Sequence, residues 1–359
     1  PLKYPETDHE AVIEALAGAA ASWQDPDYGP RVKAVAQTLA APNRFTEEAL
    51  AFAVNQQMSL LTPEAMKAWI KGRRATASRL VGVLNAGNIP LVGLQDFLAV
   101  VLTGHRYVGA VSSKSPLLLP AFVAEVQQEA SGLAASFVSV EDVFARAEAL
   151  IATGTDETRA WAASACQRHG IPSQRCLLRG HRYAVAVVDG RETEEERDGL
   201  AEDALLHEGY GCRNVALIWA PKDLPPDAYL ESMAAFRAVF PPHPDTPGAL
   251  KMQQAFLAAL DLPHAYGEAL DFLLSKGEAD VQGPGHLRWV AYEDLGEVAA
   301  WLARHTETIQ LVVARSEVAE RLAEHLAETL PIEPPGRAQR PALDWSPDAL
   351  DTVAFLCSL

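Results

Sequence analysis

The residues predict an α/β protein: a parallel sheet with helices packed on both faces. Three observations carry this. Short strand-like apolar runs alternate with helical segments for about ninety residues from residue 80. The same alternation resumes at 182. Hydrophobic residues make up 49% of the 359 positions, enough for two sizeable cores.

In chain order, 8–75 reads as helical, with Ala- and Leu-rich segments broken at Asp25-Pro26, Ala41-Pro42-Asn43 and Thr62-Pro63. Residues 79–84 read as a strand and 85–89 (Asn-Ala-Gly-Asn-Ile) as a loop. Pro90 then opens a helix that runs to about Thr103, apolar on most faces, with Gly104 at its C-cap. Strands follow at 107–111, 137–140 and 150–152, and helices at 116–129, 141–149 and 156–169. A strand at 182–188 and a helix from Glu194 to near His207 lead through Gly209-Tyr210-Gly211 to Cys212, then a strand at 215–219. Further αβ material runs to about 330, the Pro-rich stretches 240–247 and 331–341 read as loops or linkers, and a domain boundary falls near 180.

Composition narrows the function. Lys plus Arg number 30 and Asp plus Glu 47, a net charge of −17 that repels nucleic-acid phosphates and anionic lipid. No apolar run is long enough for a membrane helix: the best candidate, 83–102, contains Asn85, Asn88, Pro90, Gln95 and Asp96. The first residues, Pro1 to Glu6, show no signal-peptide pattern. Cys166, Cys176, Cys212 and Cys357 make no CxxC pair, so the expectation is a reducing cytoplasm, with no structural metal. Cys166, Cys176 and Cys357 read as structural thiols.

Neither GxGxxG nor GxxxxGK[ST] occurs. Strand-to-helix loops of other sequence also present backbone N–H groups to a pyrophosphate, and Asn88 and Thr153-Gly154-Thr155 lie in such loops. Asn88 equally reads as a turn residue, and Thr-Gly-Thr as an N-cap. Cys212 lies between a helix stop and a strand, beside Arg213, where a cation or a helix terminus would favour thiolate. Ser112, Ser113, His105, His181 and His207 are available for nucleophilic chemistry, but no spacing orders them into a triad.

Together these segments resemble the LuxC-like long-chain acyl-CoA reductases of the aldehyde dehydrogenase superfamily. The resemblance rests on 81–93 (Val-Gly-Val-Leu-Asn-Ala-Gly-Asn-Ile-Pro-Leu-Val-Gly), Gln95-Asp96, Gly104-His105 and 209–215 (Gly-Tyr-Gly-Cys-Arg-Asn-Val). Towards the C-terminus, 335–339 and 351–356 also match. Asn88, Gly154 and Cys212 follow in the superfamily's order, 66 and 58 residues apart.

The resemblance implies an aldehyde dehydrogenase-like fold of two αβα lobes, with the active site in the cleft between them. It implies N-terminal helices plus a dinucleotide-binding lobe over 1–180, a catalytic lobe over 181–335, and a returning, oligomerising tail over 336–359 whose 353–356 run reads as a strand. Cys212 would attack an acyl thioester, with Asn88 and the Cys212 N–H stabilising the oxyanion. Thr153, Gly154 and Thr155 would line the dinucleotide. The superfamily lysine for the adenosine ribose would fall at Ala110; Lys114, with Ser112 and Ser113, is its expected substitute and would hold the 2′-phosphate of NADPH. The product would be a fatty aldehyde.

Two motifs differ from the superfamily. The run 177–180 (Leu-Leu-Arg-Gly) has no general-base Glu, which suits thioester reduction, where water would destroy the intermediate. The Glu-x-Phe-Gly-Pro motif is missing, its nearest string being Gln282-Gly283-Pro284-Gly285. The implied partners are acyl-CoA or an acylated protein as substrate, an acyl-transferring enzyme, and a second copy in a homodimer. A reductase of another activated acyl group, such as an acyl phosphate, and a non-catalytic acyl-binding scaffold stay open as alternatives.

Overall fold

The computed structural model describes residues 9–326 and 330–359; the Pro1–Glu6 reading lies outside them. The chain forms two compact units, one of residues up to His181 together with Ala342–Leu359, the other Arg182–Pro341.

The first unit opens with four helices: α1 (His9–Gln24), α2 (Gly29–Ala40), α3 (Glu47–Ser59) and α4 (Pro63–Ile70). Thr46 and Thr62 cap α3 and α4 by accepting from the N–H three residues on. Then come β1 (Leu80–Leu84), α5 (Leu94–Leu102), β2 (Arg106–Ala110), α6 (Leu118–Glu129), β3 (Ala135–Phe137), α7 (Val140–Arg146), β4 (Ala149–Thr153), α8 (Asp156–Arg168) and β5 (Cys176–Arg179). All five strands are parallel, in the order β3-β2-β1-β4-β5. Alternate residues feed opposite cores: Val81, Val83, Tyr107 and Ile151 face one side, Leu84, Val108, Leu150 and Ala152 the other. That double burial is why these strands read as continuous apolar runs.

The second unit holds β6 (Tyr183–Val187), α9 (Glu194–Leu205), β7 (Val215–Pro221), α10 (Asp227–Val239), α11 (Thr246–Ala259), β8 (His264–Tyr266), β9 (Leu273–Lys276), β10 (His286–Tyr292), α12 (Leu295–Arg304), β11 (Ile309–Val313), α13 (Ser316–Ala323) and β12 (Ile332–Glu333). Its seven strands run β12-β11-β6-β7-β10-β9-β8, parallel except for β8. The 331–341 stretch is therefore not loop throughout, because its Ile332-Glu333 pairs with β11.

The chain then returns to the first unit and ends in α14 (Thr352–Cys357). The expected strand at 353–356 is this helix. Asp351 Oδ1 accepts from Ala354 N at 2.9 Å, an N-cap that starts a turn, and Val353 and Leu356 bury into the core on the α5 side of the sheet. Two other boundaries move for local reasons. The helix expected from Pro90 starts at Leu94, because Leu91 is left-handed at φ 56° and breaks the first turn. The strand expected at 137–140 ends at Phe137, because Ser139 caps α7 by accepting from Asp142 N at 3.1 Å. Among the described residues, no helix is long and apolar enough to cross a membrane.

Candidate active site

In the first unit, β1 and β4 are neighbours whose chain connections leave in opposite directions across the sheet, the switch point where a parallel sheet opens a crevice beyond its carboxyl ends. The loop after β1 is anchored by Asn85. Its N–H donates to Ala110 O at 2.9 Å, and its Nδ2 to Tyr107 Oη at 2.9 Å and Ala110 O at 3.1 Å. A Cβ on Gly93 would lie 1.8 Å from Asn85 Oδ1, so only glycine admits this buried amide. A Cβ on Gly87 would meet Ser112 Oγ at 2.5 Å, which packs the β1 loop directly against the β2 loop. Asn88 is half-buried on the first of these loops. On the second, Ser112 Oγ accepts from Lys114 N at 3.2 Å, while Ser113 and Lys114 are exposed.

After β4, Thr155 caps α8: its Oγ1 accepts from Thr158 N at 3.2 Å. Gly154 N donates to Arg179 O at 3.3 Å, and a Cβ on Gly154 would strike Thr158 Cγ2 at 2.6 Å. Thr153 Oγ1 accepts from Arg179 Nη1 at 3.3 Å. The first turn of α8 carries Asp156 and Glu157.

In the second unit, Cys212 is half-buried at the amino end of β7. The chain reaches it through two consecutive left-handed residues, His207 (φ 54°) and Glu208 (φ 58°), then Gly209 (φ 75°). A left-handed non-glycine costs about 1–2 kcal/mol, so the turn needs external support. Glu208 supplies it: its buried carboxylate accepts from Arg237 Nη1 at 3.1 Å and Thr246 Oγ1 at 2.6 Å. A Cβ on Gly209 would sit 3.1 Å from Gly285 N, so the Gln282-Gly283-Pro284-Gly285 string backs the cysteine loop. Burial pushes the His207 imidazole down to about 4, leaving it neutral at pH 7.

Asn214 closes the loop. Its Oδ1 accepts from Gly211 N at 2.8 Å, and its Nδ2 donates to Leu206 O at 2.7 Å and Asp203 O at 3.1 Å. Gln339 braces it from below, with Nε2 donating to Arg213 O at 3.0 Å and Asp203 O at 3.2 Å. A Cβ on Gly199 would come within 2.7 Å of Gly336 N, so 335–339 crosses α9 backbone to backbone. Asn214 and Glu208 had no assigned role in the sequence, nor had Gln339, which meets its partners 126 and 136 positions away.

Arg213 Nη2 binds Glu333 Oε1 and Oε2 at 2.8 and 2.7 Å, and its Nε donates to Ala338 O, so its charge is already answered by a carboxylate.

No protein-family model matches the sequence, and no curated protein sequence does. Solved structures do. An oxidoreductase from Marinobacter aquaeolei superposes with a TM-score of 0.69 at 11% identity, covering 91% of this chain and 77% of its own. Aldehyde dehydrogenase 21 from Physcomitrella patens, in complex with the reaction product succinate, gives 0.67 at 14% identity over 98% of this chain and 84% of its own. Succinic semialdehyde dehydrogenase from Streptococcus pyogenes, in complex with NADP+, gives 0.65 at 13% over 91% and 81%. The chain has an aldehyde dehydrogenase-like fold.

Within this fold, the 177–180 run has a different job from the one its position suggests. Arg179 is only 3% exposed and forms a bidentate pair with Asp96, its Nη1 donating to Oδ1 at 2.9 Å and Oδ2 at 2.8 Å. Its Nη2 donates to Thr352 Oγ1 at 2.7 Å. His105 is also fixed rather than free for catalysis. Its Nδ1 accepts from Arg79 N at 3.1 Å, which leaves Nε2–H to donate to Leu356 O at 2.9 Å. Among the described residues, no group of three or more His, Cys, Asp or Glu could hold a metal ion.

Asp203 carries a pH prediction. It accepts from Gly336 N at 2.7 Å and Gln339 N at 3.3 Å, yet burial dominates and raises its carboxyl to about 7. The folded state thus holds this proton more tightly than the unfolded chain does. Its stabilising effect is complete below about pH 4 and is lost as pH rises through about 7, at roughly 1.4 kcal/mol per pH unit. Asp203→Asn should flatten this part of the stability curve, read as denaturation midpoint against pH; an unchanged slope would remove Asp203 as its source.

Proposed function

We propose that the protein reduces a long-chain fatty acyl thioester to the aldehyde, using NADPH and an acyl-cysteine intermediate on Cys212. The observation that carries this reading is the Cys212 loop: a half-buried thiol at a strand's amino end, on a turn of left-handed residues braced by buried polar groups, in an aldehyde dehydrogenase-like fold. Cys212 Sγ adds to the acyl carbon, the C–S bond to the thiol carrier breaks, and the carrier leaves as its thiol. Asn88 and the Cys212 N–H are the oxyanion donors in this reading. The nicotinamide, when bound, supplies hydride to the acyl carbon, and Cys212 is then the leaving group that frees the aldehyde.

Arg179 supports reduction over hydrolysis. An arginine locked to Asp96 cannot take a proton from water, so the 177–180 run offers no general base to hydrolyse the acyl-enzyme.

The first unit fits a dinucleotide. Its strand order places the β1 and β4 loops at the switch point, and Gly87 and Gly154 bring backbone close there. Asp156 and Glu157 repel a phosphate from the α8 end, which favours the β1–β2 side for the 2′-phosphate, where Ser113 and Lys114 are exposed beside Ser112. Lys114→Ala should raise KM for NADPH about tenfold and leave NADH nearly unchanged; equal effects on both would place the 2′-phosphate elsewhere.

The reading is tested by incubating the enzyme and NADPH with palmitoyl-CoA, shorter acyl-CoAs and an acyl phosphate, trapping the aldehyde as a hydrazone. Aldehyde from acyl-CoA supports it. Aldehyde from acyl phosphate alone would move the protein to the other reductase class, and absence of aldehyde and of NADPH binding would favour an acyl-binding scaffold.

A further inference from the structure

The described residues contain two cysteines that the proposed reaction does not use and that lie side by side. Cys166 is near the carboxyl end of α8 and only 2% exposed; Cys176 opens β5 and is half-buried. The two thiols are near enough to influence each other's ionisation, and both belong to the apolar cluster between α8 and the sheet. Both also line one cavity of about 850 Å³, walled by Gln167, Ile171, Leu178 and, from the returning tail, Leu350 and Phe355.

We propose that Cys166 and Cys176 form a redox-active dithiol, a modification site that a small hydroperoxide entering this cavity converts into an intramolecular disulfide. The site stands on the apolar cluster and the cavity that the two thiols share, independently of the reading of Cys212.

The two sulfurs have different parts. The interaction between the two thiols lowers the Cys176 thiol, whereas the same interaction together with burial raises Cys166. Cys176 is also the more exposed of the pair, so it is the attacking group. As a thiol it donates to Pro172 O at 3.4 Å, a contact that ionisation gives up.

The Cys176 thiolate attacks one peroxide oxygen and the O–O bond breaks. The sulfur is oxidised to a sulfenic acid, and the peroxide is reduced to an alcohol or water, which takes up one proton. Cys166 sulfur then attacks the sulfenic sulfur. The S–S bond forms, the S–O bond breaks, and the departing hydroxide leaves as water with the Cys166 proton. The product staples α8 to β5 across the 169–175 connection.

The test uses the full chain carrying Cys212→Ala, which removes the other chemically suspect thiol, treated with hydrogen peroxide and read by intact mass and non-reducing peptide mapping. The expected result is loss of two hydrogens, reversed by dithiothreitol, with one cross-linked peptide joining Cys166 and Cys176. Adding Cys166→Ser should abolish the cross-link and leave a sulfenic acid on Cys176 that dimedone captures. If that variant does not fold, the cross-linked peptide from the Cys212→Ala protein decides the question. The proposal is overturned if both thiols still alkylate fully after peroxide. It is equally overturned if Cys176 passes to sulfinic acid with Cys166 untouched, or if the disulfide joins two chains.

Discussion

Replacing Arg179 with methionine should destabilise the first unit by about 3–5 kcal/mol, because it leaves the Asp96 carboxylate buried without its partner. The loss extends beyond one ion pair. Thr352 Oγ1 loses its donor, and α14 with it loses a tether to β5. Denaturant unfolding of Arg179→Met and Asp96→Leu should each show this loss. The double variant should recover most of it, since two apolar groups leave no charge to satisfy. If each single variant costs below about 1 kcal/mol, the pair does not hold the tail in place.

Cys212→Ala should abolish aldehyde formation, by about 10⁴-fold or more, the scale of losing a nucleophile. Binding of NADPH should be unchanged, since every residue proposed for the dinucleotide lies in the first unit, which does not include Cys212. Aldehyde formation within about tenfold of the unmodified protein would rule out Cys212 as the nucleophile of the proposed reaction.

Most of the fold was legible because a parallel sheet buried on both faces writes itself as short apolar runs. The runs at 79–84, 107–111 and 150–152 lie within a residue of β1, β2 and β4. Where a strand was misread or overextended, a polar residue two positions away decided the structure. Asp351 turned the apolar 353–356 run into a helix by capping it, and Ser139 ended β3 in the same way. A short apolar run has no period of its own to resist such a cap.

The candidate site was legible differently. The strings that carried the resemblance mix chemistry with architecture. Gln95 donates to Leu343 O and Trp345 O, both at 2.8 Å, His105 binds Leu356 O, and Asp96 holds the Arg179 that donates to Thr352. Gly336 and Gln339 hold up the Cys212 loop. The structure gives these residues an architectural part that the sequence strings alone did not distinguish from a chemical one. The Cys166–Cys176 pair left no sequence signal, because a helix and a connecting loop, rather than a short spacing, bring the two thiols together.

Acyl transfer to Cys212 is read by intact-protein mass spectrometry after mixing the protein with palmitoyl-CoA, followed by NADPH. The expected result is one palmitoyl adduct on the unmodified protein and none on Cys212→Ala, with NADPH discharging the adduct as aldehyde. An adduct that persists in Cys212→Ala, or aldehyde formed with no adduct at any chain length, would contradict it.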